Sequence, residues 1–492
     1  MLFEERPRSS PPRWRAAATH LSRCGGGVIL RPMSVLLDAW RHTPTHRKVW
    51  ALAAPMILPN LSVPLVTLVD TAVIGHLPHT QQLGAVVVGG SLYAMLVGVF
   101  GILRMSATGF AAQAVGRGDG GALRQVLLQS LVLAALIALL VGLLAIPLSG
   151  VALQLMQPSA QLEALTREFF QARLFGLPAT LAVAALIGWL LGTQNARGAL
   201  AVMLTTNLLN IALNLWFVLG LDWGVLGSAR ASVLAEWSGA LLGLFLAWRT
   251  LGRHPGQVDR AALRQWHSWR ALLAVNRDIL IRTLALHLVF FLITVQGTRL
   301  GDATVAANAL LLNGLLVAAF ALDGLAHAVE ALCGHAIGAR DRLALRRALL
   351  VAGGWSLLGS LLFALLFLLG GRLFIELQSD ILEVRNAAYP YLPYLALLPL
   401  IAVWSYLLDG LFIGATRARE MRDAMLVSVA LGLGLGALLQ GLGNHGLWLA
   451  LLCFMLMRGL SLAILGWRLQ RRNAWLDADD SSLDAQRPSP QG

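Results

Sequence analysis

Charged residues are scarce in this sequence. Aspartate, glutamate, lysine and arginine together make up 13% of its 492 residues, whereas soluble globular proteins carry about 25%. A chain of this length with so few charges has too little polar surface to stay in water. The composition therefore excludes an ordinary soluble domain and indicates a protein whose solvent is the lipid bilayer.

Cysteines and catalytic motifs are also few. Cys24, Cys333 and Cys453 lie far apart and show no CxxC spacing, so they indicate neither a disulfide framework nor a metal site. The sequence contains no HExxH, no GxSxG and no phosphate-binding loop pattern, which argues against hydrolytic or nucleotide chemistry. We therefore expect no metal and no cofactor.

What the sequence does contain is apolar stretches long enough to cross a bilayer, about 20 residues each. They recur about twelve times. They begin near positions 50, 83, 126, 170, 199, 225, 279, 305, 348, 391, 424 and 446. This pattern predicts an all-α integral membrane protein with twelve transmembrane helices.

The loops between these stretches alternate in charge. Loops after odd-numbered stretches are poor in arginine, and "GHLPHTQQ" and "GLGNHG" have none, whereas loops after even-numbered stretches, such as "GARDRLALRR" and "TRAREMR", are basic. By the positive-inside rule the basic loops and both termini face the cytoplasm. The formal net charge of +13 is therefore a property of the membrane topology, and we expect no nucleic acid as a partner.

The chain also repeats itself. "AVGRGDGGALRQVLL" begins at Ala114 and "AIGARDRLALRRALL" begins 222 residues later at Ala336. A repeat of six spans gives two bundles of the same orientation, with a cleft between them in which an alternating-access transporter binds its substrate. We predict an N-lobe at 48–247 (spans 1–6), a basic cytoplasmic linker at 248–278 and a C-lobe at 279–470 (spans 7–12).

Both ends of the chain differ from the lobes. Residues 1–47 form a predicted cytoplasmic tail, of which the first 33 are basic and rich in proline and glycine, and Met33 is an alternative translation start. Residues 471–492 are predicted to be a disordered C-terminal tail.

Several motifs resemble the multidrug and toxic compound extrusion (MATE) family. They occur in the family's order from about residue 48 to 470: "APMILPNLSVPLVTLVDTAVIGHL", "RMSATGFAAQAVGRGD", "GWLLGTQNAR", "ALDGLAHAVEALCGHAIGARD", "YLLDGLFIGATRAREMR" and "GNHGLWLALL". Within the family they are most similar to the branch of the DNA-damage-inducible F proteins.

The resemblance implies a V-shaped antiporter of two pseudo-symmetric lobes in a bacterial inner membrane. It would expel small organic compounds, often cationic and aromatic, in exchange for protons, with sodium as an alternative coupling ion. The lipid bilayer and the small-molecule substrates are the partners it implies, and no obligate protein partner is evident.

Asp70 is the main candidate for the coupling site, because it occupies the position of the coupling aspartate in the family's first helix. An ionisable residue inside a membrane span is costly, by about 3 kcal/mol on insertion scales, and marks a functional site by default. Thr67 lies one turn away and can hydrogen-bond the carboxyl group. An interfacial aspartate is the alternative, because Asp70 lies about 30 Å along the helix from Trp50.

Three prolines precede Asp70 in the same span: Pro55, Pro59 and Pro64. Each removes a backbone hydrogen bond and makes bending easier, although proline is also tolerated in ordinary membrane helices. We interpret them as residues that let the helix bend when Asp70 is protonated.

Position 214 departs from the family, which commonly has aspartate where this chain has Asn214. Because asparagine cannot carry a transferable proton, the departure puts a two-carboxylate relay in the N-lobe in doubt and shifts the expected coupling to Asp70. Other residues that would line a substrate or cation cavity are polar or aromatic: Asn60, Tyr93, Gln113, Asn207, Asn210 and Tyr406.

Four further carboxylates interrupt apolar runs. Asp323 and Glu330 are seven residues apart and therefore share a helix face, and a negative cavity suits a cationic substrate. For Asp409 and Glu236 a functional role and a structural pairing both remain open. The possible partners of all four are the arginines in or beside the spans: Arg104, Arg282 and Arg458.

Three other functions compete with a drug antiporter. A membrane-embedded transferase has only His254 and Asp259, in an HxxxxD spacing within a basic linker. A lipid or lipid-linked-sugar flippase of the same superfamily would line its cavity with arginines rather than acids. A cation channel lacks a tandem filter-like loop.

Overall fold

The computed structural model describes residues 38–75, 80–472 and 474–476, without the side chains of 61–72, 74, 75, 80, 260 and 262. In this part of the chain every regular element is helical. The α-helices are α1 (Thr43–Gly75), α2 (Thr80–Gly98), α3 (Ile102–Gly116), α4 (Gly120–Met156), α5 (Ala160–Leu174), α6 (Leu177–Gly192), α7 (Ala196–Asn214), α8 (Gly224–Leu251), α9 (Arg260–Arg264), α10 (Trp266–Arg299), α11 (Asp302–Gly338), α12 (Arg342–Glu376), α13 (Leu382–Ala388), α14 (Leu392–Gly414), α15 (Ala418–Leu438) and α16 (Asn444–Arg471).

The helices confirm a multi-pass membrane protein. Ten helical stretches of the described chain are long and apolar enough to cross a bilayer, and α5 with α6, bent by 46°, forms an eleventh as a broken span. Helix α1 adds 33 residues at the position of the first predicted span, so twelve spans are consistent with the structure. Their outer faces are lined with exposed leucines, for example Leu140, Leu143 and Leu369, as lipid contact requires.

The two lobes repeat each other in backbone detail. Asp119 caps α4 and Asp341 caps α12, each carboxylate accepting a backbone N–H of the first turn, from Ala122 at 2.8 Å and from Ala344 at 2.9 Å. The duplicated "GRGD" and "GARD" turns therefore both end in an aspartate that caps the following helix. A residue of positive φ precedes each aspartate, Gly118 at 70° and Arg340 at 53°.

The lobes meet at the end of the molecule that carries these two turns, which we call the loop end. There α3 of the N-lobe crosses α11 of the C-lobe. A Cβ added to Gly334 would lie 2.7 Å from the Cβ of Ala112, and one added to Gly338 would collide with the backbone of Gln113. Glycine therefore permits the close approach of the two helices. The largest buried apolar cluster joins both lobes beside this crossing.

The predicted boundaries shift where helices extend beyond the apolar stretches. Inside the predicted 248–278 linker, α8 continues to Leu251 and α10 begins at Trp266, so only 252–265 connects the long helices. Helix α1 begins within the predicted N-terminal tail. Within the predicted C-terminal tail, Trp475 is buried against Phe412 with ring centroids 5.3 Å apart.

Candidate functional site

A cavity of about 430 Å³ lies in the C-lobe, and Arg104 and Met105 of the N-lobe helix α3 complete its wall. Along α11 its wall runs from Leu312 to Glu330, and Glu330 lies eight residues, or about 12 Å, from the loop-end terminus of that helix. The cavity therefore begins inside the membrane and extends away from the loop end. Its charged residues come from five helices: Arg104 (α3), Arg282 (α10), Asp323 and Glu330 (α11), Asp409 (α14) and Arg458 (α16).

The first ion pair of the cavity connects the two lobes. Arg104 Nη1 donates to Glu330 Oε2 at 3.0 Å and Arg104 Nη2 to Glu330 Oε1 at 3.4 Å. The side chains are 17% and 3% exposed, so both groups are largely removed from water. A two-point bond of this kind fixes the relative position of α3 and α11.

The second charged group is a triad within the C-lobe. Arg282 and Arg458 both donate to the same oxygen, Oδ2 of Asp409. All three side chains are buried, with exposures of 6%, 4% and 9% respectively. Two guanidinium groups share one carboxylate, so the triad carries one net positive charge.

Asp323 faces the cavity without a salt bridge to any described residue. It lies two helical turns from Glu330, as its spacing predicts, and one turn from His327, which also lines the cavity. The predicted shared face of Asp323 and Glu330 is therefore confirmed, and the two carboxylates differ in that only Glu330 is paired.

The negative cavity expected from the sequence is not observed here. Three arginines and three carboxylates line it, and two of the three carboxylates are held by arginines. For Glu330 and Asp409 the structural pairing that the sequence left open is the one observed. The reason is tertiary: the crossing of α3 with α11, and of α14 with α10 and α16, brings together charges that are distant in sequence.

Other predicted cavity residues lie elsewhere. Asn60 donates to the Phe320 carbonyl at 3.3 Å and links α1 to α11. Gln113 donates to the Gly414 carbonyl at 2.9 Å at the loop end and thus helps close it. Tyr93 is buried in the N-lobe with its hydroxyl 3.1 Å from Thr180 Oγ1.

The three asparagines occupy the α7 helix of the N-lobe, away from the lining of the described cavity. Asn210 donates to Ser232 Oγ at 2.9 Å and joins α7 to α8. Asn214 is fully buried at the end of α7, and Asn207 is half-buried. Tyr406 does line the cavity, with its ring centroid 5.6 Å from the Arg458 guanidinium carbon.

The side chain of the main coupling candidate is not among those that the structure describes. Asp70, Thr67 and Pro64 belong to α1, but their side chains are not among those described. Pro55 and Pro59 lie in the described part of the same helix, which continues through all three proline positions as one α-helix. The predicted bending on protonation stays a prediction.

Glu236 has a structural partner. Arg173 donates to its Oε1 at 2.8 Å, and the Arg173 guanidinium carbon lies 4.0 Å from the centroid of the Tyr93 ring. The pair braces the bend between α5 and α6 at Gly176. Of the two roles that the sequence left open for Glu236, the structure shows the structural one.

Both residues of the HxxxxD spacing make structural contacts in the linker. Asp259 Oδ1 accepts the Ala261 N–H at 2.9 Å and so caps α9. The His254 carbonyl accepts a bond from Arg124 at 2.5 Å. Partial burial lowers the pKa of His254 below its usual value of 6.5, and the nearby charges of Arg124 and Arg253 lower this pKa further.

Sequence reasoning treated the arginines of the cavity only as possible partners of acids, and it overlooked His327. A signal was present for His327, because it falls between Asp323 and Glu330 on the same helix face. No comparable signal exists for the arginines, whose common cavity depends on the packing of separate helices.

The fold and cavity together define a class: a polytopic helical membrane protein with two homologous lobes and a charged cavity where α3 meets the C-lobe, the architecture of a small-molecule transporter. The MatE family profile matches residues 55–216 and 279–439. The chain therefore belongs to the MatE family of multidrug and toxic compound extrusion transporters.

Individual relatives agree with this assignment. The chain is 44% identical to the DNA damage-inducible protein F of Escherichia coli K12 over 89% of its length and 95% of the relative. It is 29% identical to a probable multidrug resistance protein NorM of Deinococcus radiodurans over 85% of this chain and 94% of that one. A MOP superfamily transporter from Pyrococcus furiosus shares the fold, with a TM-score of 0.78 and 18% identity over 88% of this chain and 96% of that one.

Proposed function

We propose that the protein is a secondary active antiporter that exports organic compounds in exchange for protons by alternating access. The observation that carries the proposal is a charged cavity of the C-lobe that borders the homologous N-lobe, closed at one end by helix packing and by the pair Arg104–Glu330. In such a fold the lobes rock about the central site.

The closed end is the loop end, and we place it in the cytoplasm of a bacterial cell, at the inner membrane. The basic residues of the linker and of the turns after α3, α11 and α14 support this orientation under the positive-inside rule. The structure then represents an outward-facing state. Opening toward the cytoplasm requires α3 and α11 to separate, which breaks the pair between Arg104 and Glu330.

Protons would bind at carboxylates that are not tied to arginines. Asp70 is the candidate from the family resemblance, and Asp323 is the candidate that the cavity adds. Glu330 and Asp409 are less suited, because their carboxylate oxygens already accept bonds from arginines. Sodium in place of protons is the alternative coupling ion.

The substrate class follows from the same cavity. Phe290, Phe320 and Tyr406 form apolar walls, which suits aromatic compounds, and Asp323 supplies a negative charge for cationic ones. A flippase is the second candidate, because three arginines do line the cavity as that function would need.

Substrate uptake into proteoliposomes under an imposed pH gradient tests this proposal. We expect wild type to concentrate a fluorescent lipophilic cation without added sodium, and Asp70→Asn to abolish the uptake. Asp323→Asn should reduce it, while the exposed control Asp380→Asn should leave it unchanged. Uptake that needs sodium, or normal uptake by both Asp70→Asn and Asp323→Asn, would show the coupling scheme to be wrong.

A further inference from the structure

The triad of Arg282, Asp409 and Arg458 leaves hydrogen-bonding capacity unused inside the protein. Each guanidinium group has five N–H donors, and each gives one of them to Asp409. The Nε atoms of Arg282 and Arg458 are buried and have no hydrogen-bond partner among the described residues. Buried donors on a charged group that remain unbonded are costly, so an acceptor from a ligand or from water is needed there.

The charge of the triad has the sign that suits an anion. One carboxylate offsets only one of the two arginines, and their residue exposures are 5% for Arg282 and 3% for Arg458. The remaining positive charge lies on the cavity wall in a poorly solvated place, where electrostatic attraction is stronger than in water. Arginine also matches the two oxygens of a carboxylate in geometry.

The wall beside each arginine is apolar. Leu286 and Phe290 follow Arg282 at intervals of four residues on the same face of α10, and Met455 lies one turn from Arg458 on α16. Together with Tyr406 they enclose a space in which an aromatic body fits while its acid group points at the arginines. The volume of about 430 Å³ accommodates a drug-sized molecule.

We propose that this cavity binds amphiphilic organic anions, with the carboxylate on Arg282 and Arg458 and the aromatic body against Phe290 and Tyr406. The proposal names a substrate class for the cavity of the proposed function. Transport of the anion rests on that function, whereas binding of the anion does not. Asp323 on the same cavity wall supplies the charge for a cation, so the selectivity expected of the triad itself is for an acid over a neutral compound of the same size.

Binding to the purified full-length protein in phosphatidylcholine nanodiscs tests the proposal by calorimetry with three probes of equal size: 2-naphthylacetate, 2-naphthylacetamide and 2-naphthylethylammonium. We expect the acetate to bind more tightly than the amide, whereas binding of the ammonium should depend on Asp323 and not on the triad. Arg458→Gln removes the surplus charge and leaves Asp409 paired with Arg282, so it should weaken acetate binding about tenfold or more and leave the amide unchanged.

Two further variants separate this role from a purely structural one. Asp409→Asn raises the net positive charge of the triad, so it should tighten acetate binding relative to wild type. The exposed Arg197 serves as a control, and Arg197→Gln should have no effect. Equal binding of the acetate and the amide, or an Arg458→Gln variant that binds the acetate like wild type, would overturn the proposal.

A lipid headgroup could supply the same kind of anion, and a change of nanodisc lipid distinguishes the two sources. If phosphatidylglycerol weakens acetate binding to wild type but not to Arg458→Gln, the site is a lipid site and the proposal is wrong. If the acetate binds as expected but no pH gradient drives its transport, the site stands and the antiporter assignment fails.

Discussion

The pair Arg104–Glu330 should stabilise the state that is closed at the loop end, and Glu330→Gln tests this. The substitution keeps the size of the side chain and removes its charge. A hydrogen bond to a charged group contributes about 1.5–3 kcal/mol, and this pair can exist only while α3 and α11 are in contact. Since 1.4 kcal/mol is a factor of ten, we expect the ratio of closed to open states to fall about 10- to 100-fold.

Distances between spin labels at the far end of the molecule, opposite the loop end, measure the ratio of closed to open states. Gln157 and Ser379 occupy equivalent turns of the two lobes, after α4 and α12, and cysteines there can carry the labels in an otherwise cysteine-free protein. The far end narrows as the loop end opens, so Glu330→Gln should increase the population at the shorter distance.

An exposed ion pair provides the matched control for this experiment. Glu163 and Arg167 are 2.8 Å apart within α5, with side chains 36% and 49% exposed, and such a pair contributes little. Glu163→Gln should leave the distance distribution unchanged. A distribution for Glu330→Gln that matches wild type would refute the idea that the inter-lobe pair stabilises closure.

Three other substitutions test a contact between the lobes, a helix cap and an ion pair within the N-lobe. Gly334→Val places side-chain atoms against Ala112 and should open the loop end in the same spin-label assay, whereas Gly370→Val, where an added Cβ meets nothing within 4 Å, should not. Asp341→Ala removes the cap of α12 and should cost about 1 kcal/mol, seen as a lower melting temperature in detergent. Glu236→Gln should lower the melting temperature through loss of the Arg173 bond while pH-driven transport remains coupled; lost coupling would contradict its structural role.

Much of the fold follows from local properties of the sequence. The length of each apolar stretch predicts a span, and the 222-residue repeat predicts two equivalent lobes, down to the caps at Asp119 and Asp341. These features depend on residues close together in the chain, or on a comparison of the chain with itself. Asp323 and Glu330 share a face for the same reason, since helix periodicity alone determines it.

The pairing of charges in the cavity could not be predicted in this way. Arg104 and Glu330 are separated by 226 residues, and Arg282 and Asp409 by 127. Which arginine meets which acid depends on how helices cross, and the apolar pattern of each helix allows several crossings. The expectation of a negative cavity was wrong because counting charges along spans does not reveal which face of the bundle they occupy.

Proton movement caused by the substrate tests the central claim, coupled antiport, most directly. Proteoliposomes would contain a trapped pH-sensitive dye, and a transported compound would be added without an imposed gradient. The account predicts that adding the compound moves protons in the opposite direction through wild type, and that Asp70→Asn moves none while it still binds the compound. Substrate transport with no proton movement in wild type would contradict the account.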